Sequence, residues 1–329
     1  MKSSSLLKFI LFFLLTVVFV TGLIAYSNSR GYNKEYQEDS NIENESSYES
    51  GDRRYEKQFM VKEGGEIIVE ADAGTISIDS WDKNEVNVVV EIDGSDSRAK
   101  KYTVEFKQEG DKVYVTGKVQ DKSFFKWHVG DLEARYTVYT PKKYNSTVKT
   151  SGGNVKASNL IGKADYTTSG GDIVVDKIEG QTLVSTSGGN IDVMNIRGEV
   201  DAETSGGNVF IENVSGNAKG YTSGGNVEIV SVDGSVKGGT SGGDVTVKLL
   251  GVNKGIDVET SGGDINLFLK SDVTADIDAE TSGGSVDCDF PVTVRGKVHE
   301  SELHGKINGG GNSIRANTSG GSIRISELK

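Results

Sequence analysis

The residues with the clearest capacity for ligand chemistry are acidic and amide side chains that directly follow a pair of glycines. Their oxygens are of the kind that bind Ca²⁺. The set comprises Asp172, Asp244 and Asp264, together with Asn154, Asn190, Asn208 and Asn226. Calcium-binding β-roll repeats place an Asp after a further Gly-x pair in nine-residue units, and that order is absent here. We expect corner residues that bond to nearby backbone, with cation binding by the three aspartates as the alternative.

Catalytic groups are sparse by comparison. A polysaccharide-cleaving enzyme needs two carboxylates, or a carboxylate and a base, on one face. The nearest candidates are Asp287 and Asp289, which flank the single cysteine, Cys288. We expect both aspartates to be solvated strand residues. Cys288 occupies an apolar position of the repeat, so we expect a small buried side chain rather than a nucleophile.

The histidines and aromatic residues predict no site either. His128, His299 and His304 lack the spacing of zinc ligands. Four aromatic residues outside the repeats are expected to pack in a cap, with a ligand platform as the alternative: Trp81, Phe124, Phe125 and Trp127. The sequence therefore predicts no catalytic, cofactor-binding or metal-binding residue and no cofactor.

The elements that carry these residues are set by a repeat. The tetrapeptide Thr-Ser-Gly-Gly recurs every 18 residues and then three times more at looser spacing. The regular starts are Thr150, Thr168, Thr186, Thr204, Thr222 and Thr240, and the later ones are Thr260, Thr281 and Thr318. With Thr as position 1, positions 6, 8 and 11 are apolar and position 13 is Gly. A fixed period of this kind is the signature of stacked repeats.

The repeat predicts an all-β fold, a right-handed single-stranded parallel β-helix (β-solenoid) with about 18 residues in each coil. Alternate side chains of a strand face opposite sides, so positions 6 and 8 point into one interior, and glycines supply the corners. A left-handed hexapeptide helix is disfavoured, because the apolar positions do not follow a hexapeptide rhythm. Thr at position 1 should point inward and form a ladder whose hydroxyls link along the stack.

The repeat also divides the chain. Residues 150–329 are predicted to form the solenoid, and residues 58–149 a β-rich cap with a hairpin across 109–111. After Thr281 the spacing breaks. We expect residues 299–304 to loop out and residues 308–312 to form a degraded corner before the last copy; for 291–317 as a whole the sequence predicts no structure.

The N-terminal residues indicate export. Lys2 and Lys8 precede a mostly apolar run over 9–25, which fits either a cleaved signal peptide or a retained membrane anchor within residues 1–27. Residues 28–57 are acidic and poor in aliphatic side chains, which predicts a disordered linker. The net charge of −12 argues against a nucleic-acid partner, and a single cysteine excludes an internal disulfide. We predict an extracytoplasmic protein, membrane-anchored or secreted.

The repeated Thr-Ser-Gly-Gly-[Asn/Asp]-[Val/Ile]-x-[Val/Ile], behind a membrane-targeting segment and a β-rich lead-in, resembles the bacterial "putative adhesin" family, a domain-of-unknown-function family of β-strand repeats. The resemblance covers about residues 58–329. It implies a right-handed β-solenoid at the cell surface or in the envelope, and no family catalytic residues.

The expected function is therefore a non-catalytic adhesin or scaffold that binds a cell-surface protein or glycan along a repetitive face. Two alternatives stay open, a polysaccharide-acting β-helix enzyme and a regulatory membrane-anchored envelope protein. The sequence identifies neither the ligand nor the oligomeric state.

Overall fold

The computed structural model describes residues 53–94, 101–120, 132–294 and 299–328. The chain divides after Ser50 into two units, and all described residues belong to the second. The predicted signal or anchor segment and most of the predicted linker lie outside the described residues, as do Phe124, Phe125, Trp127 and His128. Strand structure begins at Arg53, before the predicted boundary at residue 58. No helix within the described ranges is long and apolar enough to cross a bilayer.

The second unit is an all-β structure throughout its described residues, with two sheets of 13 and 14 strands. The N-terminal strands are β1 (Arg53–Met60), β2 (Glu66–Ala71), β3 (Thr75–Trp81), β4 (Glu85–Gly94), β5 (Tyr102–Glu109), β6 (Lys112–Val119), β7 (Leu132–Pro141) and β8 (Asn145–Thr150). The regular repeats form β9 (Val155–Ile161), β10 (Ala164–Thr168), β11 (Ile173–Glu179), β12 (Thr182–Thr186), β13 (Ile191–Arg197), β14 (Val200–Thr204), β15 (Val209–Ser215), β16 (Ala218–Tyr221), β17 (Val227–Val232) and β18 (Val236–Thr240). The remaining strands are β19 (Val245–Leu249), β20 (Ile256–Thr260), β21 (Ile265–Leu269), β22 (Ala275–Thr281), β23 (Val286–Cys288), β24 (Val292–Val294), β25 (Glu302–Ile307), β26 (Ser313–Thr318) and β27 (Ile323–Glu327).

Each regular repeat contributes one strand to each sheet, and equivalent strands stack in parallel. Ile173 of β11 lies opposite Ile191 of β13, 18 positions later in the sequence. Farther along, Val245 lies opposite Ile265, so the later coils are longer. A long stack of parallel strands in two sheets confirms the predicted all-β, solenoid-like fold. The handedness of the coil and the general value of about 18 residues per coil stay predictions.

The interior between the sheets is formed by the apolar positions of the repeat. In one coil, Ile173, Val175 and Ile178 come from the first sheet and Val184 from the second, and none is more than 3% exposed. The predicted inward direction of positions 6 and 8 is therefore confirmed, and position 11 points inward as well. Each such side chain contributes about 1.5–3 kcal/mol when fully buried. Because one coil cannot enclose them alone, stability depends on the neighbouring coils.

A residue in the left-handed conformation explains why the apolar positions are 6, 8 and 11. Position 10 has positive φ in five consecutive repeats, at Asn159, Lys177, Asn195, Asn213 and Ser231. Between β11 and β13 the paired register runs to Met194 and resumes at Ile196, leaving Asn195 outside the ladder. Lys177 of β11 is left out at the same place, so both strands carry the same left-handed residue, and it shifts which side chain faces inward. Asn tolerates the left-handed region better than most residues, which accounts for its frequency here.

The N-terminal strands do not stack in chain order. Strand β2 lies between β6 and β8, and β3 lies between β7 and β9. Antiparallel strands then complete this end, with β4 on β7, β1 on β4 and β5 on β6. The predicted hairpin across 109–111 is confirmed, because Glu109 lies opposite Lys112. The non-repeat region thus extends both sheets with its own strands.

The C-terminal coil is also inserted out of order. Strand β26 lies between β20 and β22, and β27 lies between β21 and β23. Ile314 is accordingly paired on one side with Ile256 and on the other with Ile277. The last copy of the repeat therefore forms a complete coil inside the stack, and the strands that precede it in sequence form the end.

The prediction that residues 299–304 loop out is wrong from Glu302 onward. Strand β25 pairs antiparallel with both β22 and β24. Its inward side chains provide the reason, because Ile307 is fully buried and Leu303 packs against the core. The alternation of these residues with exposed Glu302, His304 and Lys306 is the pattern of a half-buried strand.

Candidate functional site

The Thr-Ser-Gly-Gly corner is the feature that the fold repeats most regularly. The buried Thr204 hydroxyl donates a hydrogen bond to the carbonyl oxygen of Gly189 in the preceding coil, at 2.9 Å. It also accepts the backbone N–H of Gly207, at 3.4 Å. Thr186 makes the equivalent pair of bonds to Gly171 and Gly189. The predicted inward direction of the Thr is confirmed. The predicted hydroxyl-to-hydroxyl chain is wrong, because glycine backbone groups lie nearer and satisfy each hydroxyl.

The two glycines of the corner have different roles. A Cβ atom at Gly207 would lie less than 3.0 Å from the carbonyl oxygen of Gly189, whereas one at Gly206 would lie 3.5 Å from the nearest atom. The same overlap recurs at Gly171, Gly189, Gly225, Gly243, Gly263 and Gly321. The second glycine is therefore required by the close approach of successive coils, and these glycines do form a column.

The acidic and amide residues after the glycines form a ladder of hydrogen bonds between coils. The Oδ1 atom of Asn154 accepts the backbone N–H of Asp172 at 2.9 Å, and Oδ1 of Asp172 accepts that of Asn190 at 2.7 Å. The pattern continues through Asn208, Asn226, Asp244 and Asp264 to the N–H of Ser322. The sequence predicted that these side chains would bond to nearby backbone. In the structure they bond to the backbone of the next coil. Both Asp and Asn supply the acceptor, which explains why either residue occurs.

The alternative of a cation site at these aspartates gains no support from their placement. Asp244 and Asp264 are successive members of the ladder, but three asparagines separate Asp172 from them. Each of the three commits Oδ1 to a backbone N–H. Ca²⁺ requires six to eight oxygen ligands, so any site here would need oxygens from elsewhere.

The exposed part of the corner is a row of serines. Ser187, Ser205 and Ser223 are exposed, as is the first glycine after each of them. Their backbone carbonyls accept the N–H of the first glycine in the next coil, as Ser187 does from Gly206 at 3.0 Å. No hydrogen bond within the described ranges engages their hydroxyls. One edge of the stack therefore presents serine hydroxyls at every coil. They lie next to the Asn and Asp side chains from Asn154 to Asp264 that link successive coils, here called the Asx ladder.

The outward faces of the sheets are less regular than this edge. At position 7 the successive side chains of the first sheet are Val174, Asp192, Phe210 and Glu228. The pKa of Asp192 is raised by burial, and the charge of Asp172 adds to that effect. A ligand that contacts several coils in the same way would not find identical side chains on this face.

Cys288 and its flanking aspartates lie at the end of the stack. Asp287 and Asp289 are exposed, as predicted. Cys288 is half-buried and not fully enclosed, because among the described strands β23 pairs with β27 alone. Burial nevertheless raises the pKa of its thiol, which disfavours the reactive thiolate. The arrangement gives no nucleophile with an adjacent base.

Trp81 lies on the outward side of β3 and not in a buried cap. Its ring stacks on Tyr139 with centroids 5.3 Å apart, and the Lys83 ammonium lies 4.1 Å from its centroid. Its indole N–H donates to the Glu85 carbonyl at 2.9 Å. Trp81 thus packs against strand β7 of the predicted cap, but from the outward side, because side chains in β3 alternate and Ile76 and Ile78 take the interior. These contacts hold the ring against its own chain.

The structure brings together one group that sequence spacing did not predict. His304 lies beside Asp278, Glu280 and Glu302, whereas His299 is in the turn before β25. The signal missed in the sequence was the alternation of β25, which would have placed Glu302 and His304 on one face.

The fold and its corner define an all-β solenoid-like protein with a repeated Thr-Ser-Gly-Gly motif. The family described as Toastrack DUF4097 matches residues 65–326, and the chain belongs to that family. This membership confirms the resemblance drawn from the repeat. None of the curated proteins compared with the chain matches it.

Three solved structures are similar to the chain, and each alignment covers 84% of it. A "putative adhesin" from Bacteroides fragilis is 12% identical, with 97% of its own chain covered and a TM-score of 0.44. A "putative cell adhesion protein" from Clostridium sporogenes is 16% identical, with 100% covered and a TM-score of 0.23. A "putative lipid binding protein" from Parabacteroides distasonis is 14% identical, with 97% covered and a TM-score of 0.34.

The buried threonine provides a test of the corner. We expect Thr204→Val to destabilise the protein by about 1–3 kcal/mol, because the isosteric side chain leaves the Gly189 carbonyl without its donor. Thr204→Ser keeps the hydroxyl and should cost less. Urea unfolding followed by circular dichroism measures both. Equal stability of the Val variant and the wild type would show that the hydroxyl does not hold the coils together.

Proposed function

We propose that this chain is a non-catalytic binding protein of the bacterial envelope, exported through its N-terminal segment. Its partner is a glycan or a surface protein with repeated polar groups. The binding surface is the corner edge, defined by the exposed serines and the Asx ladder. The observation that carries the proposal is the exposed row of Ser187, Ser205 and Ser223, since it repeats one polar group at every coil.

The spacing of this edge suits a repetitive partner. Neighbouring strands lie about 4.7–4.9 Å apart, so equivalent serines recur at that distance. A single hydroxyl contributes little affinity, because it exchanges one hydrogen bond with water for another. Several equivalent contacts on one rigid scaffold act together, since the later ones form at a high effective concentration. Binding should therefore depend on the number of intact coils.

The proposal is tested with the purified extracytoplasmic chain on a glycan array and on intact bacterial cells. The triple variant Ser187→Lys, Ser205→Lys, Ser223→Lys should lose at least about tenfold in affinity, because bulky charges cover the edge. A charge-matched control carries Lys at three exposed positions away from the edge, Ile161, Gln181 and Ser215. Equal binding by the two triple variants would contradict the proposal. So would a wild-type protein that binds neither glycans nor cells.

A further inference from the structure

Four polar side chains meet on the outward face of the strand pair β22–β25. The antiparallel register places Asp278 opposite His304 and Glu280 opposite Glu302. Since side chains two apart on a strand share a face, all four project from the same side. His304, Glu280 and Glu302 are exposed, and Asp278 is half-buried. The strand ladder therefore fixes an imidazole among three carboxylates.

The two nitrogens of the imidazole have different neighbours. His304 Nδ1 lies 3.0 Å from Asp278 Oδ1, which is hydrogen-bond distance. Nε2 lies 3.6 Å from Glu280 Oε1 and 3.9 Å from Glu302 Oε2. The ligand atoms of Asp278, Glu280 and His304 all lie within 4.8 Å of one another. Nε2 thus has one carboxylate oxygen of each glutamate within 4 Å, near the surface.

Asp278 has the position of an orienting residue. Arg315 of the neighbouring strand β26 contacts its other oxygen, with Nε 3.4 Å from Oδ2. Asp278 Oδ1 faces His304 Nδ1 at 3.0 Å, so a cation bound at Nε2 would leave Nδ1 to carry the proton and donate to this carboxylate. Metal-binding histidines almost always donate the second ring N–H to such a carboxylate. The contact between Asp278 and Nδ1 is independent of the proximity of the glutamates.

The two glutamates add a second reason for a cation. Glu280 and Glu302 lie directly opposite each other, and like charges at opposed positions destabilise an antiparallel strand pair. A divalent ion between them removes that repulsion. One imidazole nitrogen with two carboxylates suits Zn²⁺, which binds such ligands at about 2.0–2.2 Å. Ca²⁺ and Mg²⁺ prefer oxygen ligands alone.

We propose that His304, Glu280 and Glu302 bind one Zn²⁺ ion, with Asp278 as the residue that orients His304 and with water in the remaining position. The predicted absence of metal-binding residues was based on spacing along the sequence. The structure places these ligands together through pairing between two strands. This site lies on a sheet face and does not depend on a partner at the corner edge.

The test is isothermal titration of ZnCl₂ into the full extracytoplasmic chain, purified without a histidine tag and treated with chelator. One ion should bind per chain. His304→Ala should weaken binding by at least about 100-fold, and Asp278→Asn by about 10–100-fold, the usual effect of losing an orienting partner. Asp287→Asn and Asp289→Asn serve as controls, because both aspartates are exposed at the same end of the stack. These two variants should bind as the wild type does.

Imidazole ¹⁵N spectra give a second readout that does not rely on variants. Zn²⁺ should shift Nε2 of His304 and leave Nδ1 protonated, with His128 and His299 unaffected. Absence of binding at 1:1 stoichiometry, or equal affinity of the wild type and His304→Ala, would overturn the proposal. A shift at Nδ1 in place of Nε2 would overturn the assigned role of Asp278.

Discussion

Gly207→Ala is expected to destabilise the middle of the stack by about 3 kcal/mol or more, whereas Gly206→Ala should change the stability by less than about 0.5 kcal/mol. The two residues are adjacent and undergo the same chemical change. Only at Gly207 does the added methyl group overlap the Gly189 carbonyl oxygen of the preceding coil. That oxygen belongs to the backbone and also accepts the Thr204 hydroxyl, so it cannot move aside without breaking the corner.

Urea unfolding of both variants measures the difference, with circular dichroism as the signal. Because repeat proteins unfold in parts, hydrogen exchange should accompany it. Loss of protection in the Gly207 variant should centre on β13–β17 and decline with distance. Equal stabilities would mean that successive coils do not approach as closely as the structure shows. A strongly destabilised Gly206 variant would contradict the difference in role between the two glycines.

Truncation after Asn312 is expected to unfold the C-terminal part of the stack, although it removes only the last strands of the chain. Strands β26 and β27 lie inside the stack, between the coil of β20–β21 and the coil of β22–β23. Within the described part of the chain, β23 forms a ladder with β27 alone, and the truncation removes that ladder. It also exposes Ile265 and Leu267 of β21, which are fully buried in the intact protein. Hydrogen exchange should show lost protection over 256–307 and retained protection in the regular coils before it.

Two substitutions test the same insertion in the full chain. Ile323→Asp places a charge at a fully buried position of β27 and should cost more than about 4 kcal/mol, because an unpaired charge in an apolar interior is strongly unfavourable. Val286→Asp changes a half-buried residue of β23, the outermost strand, and should cost about 1–2 kcal/mol. If strands stacked in chain order, β27 would be the outermost strand and the two effects would be reversed.

The interior of this protein is predictable from the sequence because the stack is parallel and regular. Each position of the repeat lies over the same position of the next coil, as Ile173 lies over Ile191. The alternation of a strand then assigns each apolar residue to the inside. The positions of the glycines and of the Asn and Asp residues at the corners could be predicted from the same stacking. Their hydrogen-bond partners in the neighbouring coil could not.

Two features were decided by the tertiary structure alone. The break in spacing between Thr281 and Thr318 does not show that β26–β27 insert between earlier coils, because any coil of this family offers similar edges to its neighbours. The meeting of His304 with Glu280 depends on the pairing of β25 with β22. Local sequence patterns determine which way a side chain points from its strand. Which strand pairs with it depends on the relative stability of many similar strand pairings, and this is seen only in the folded chain.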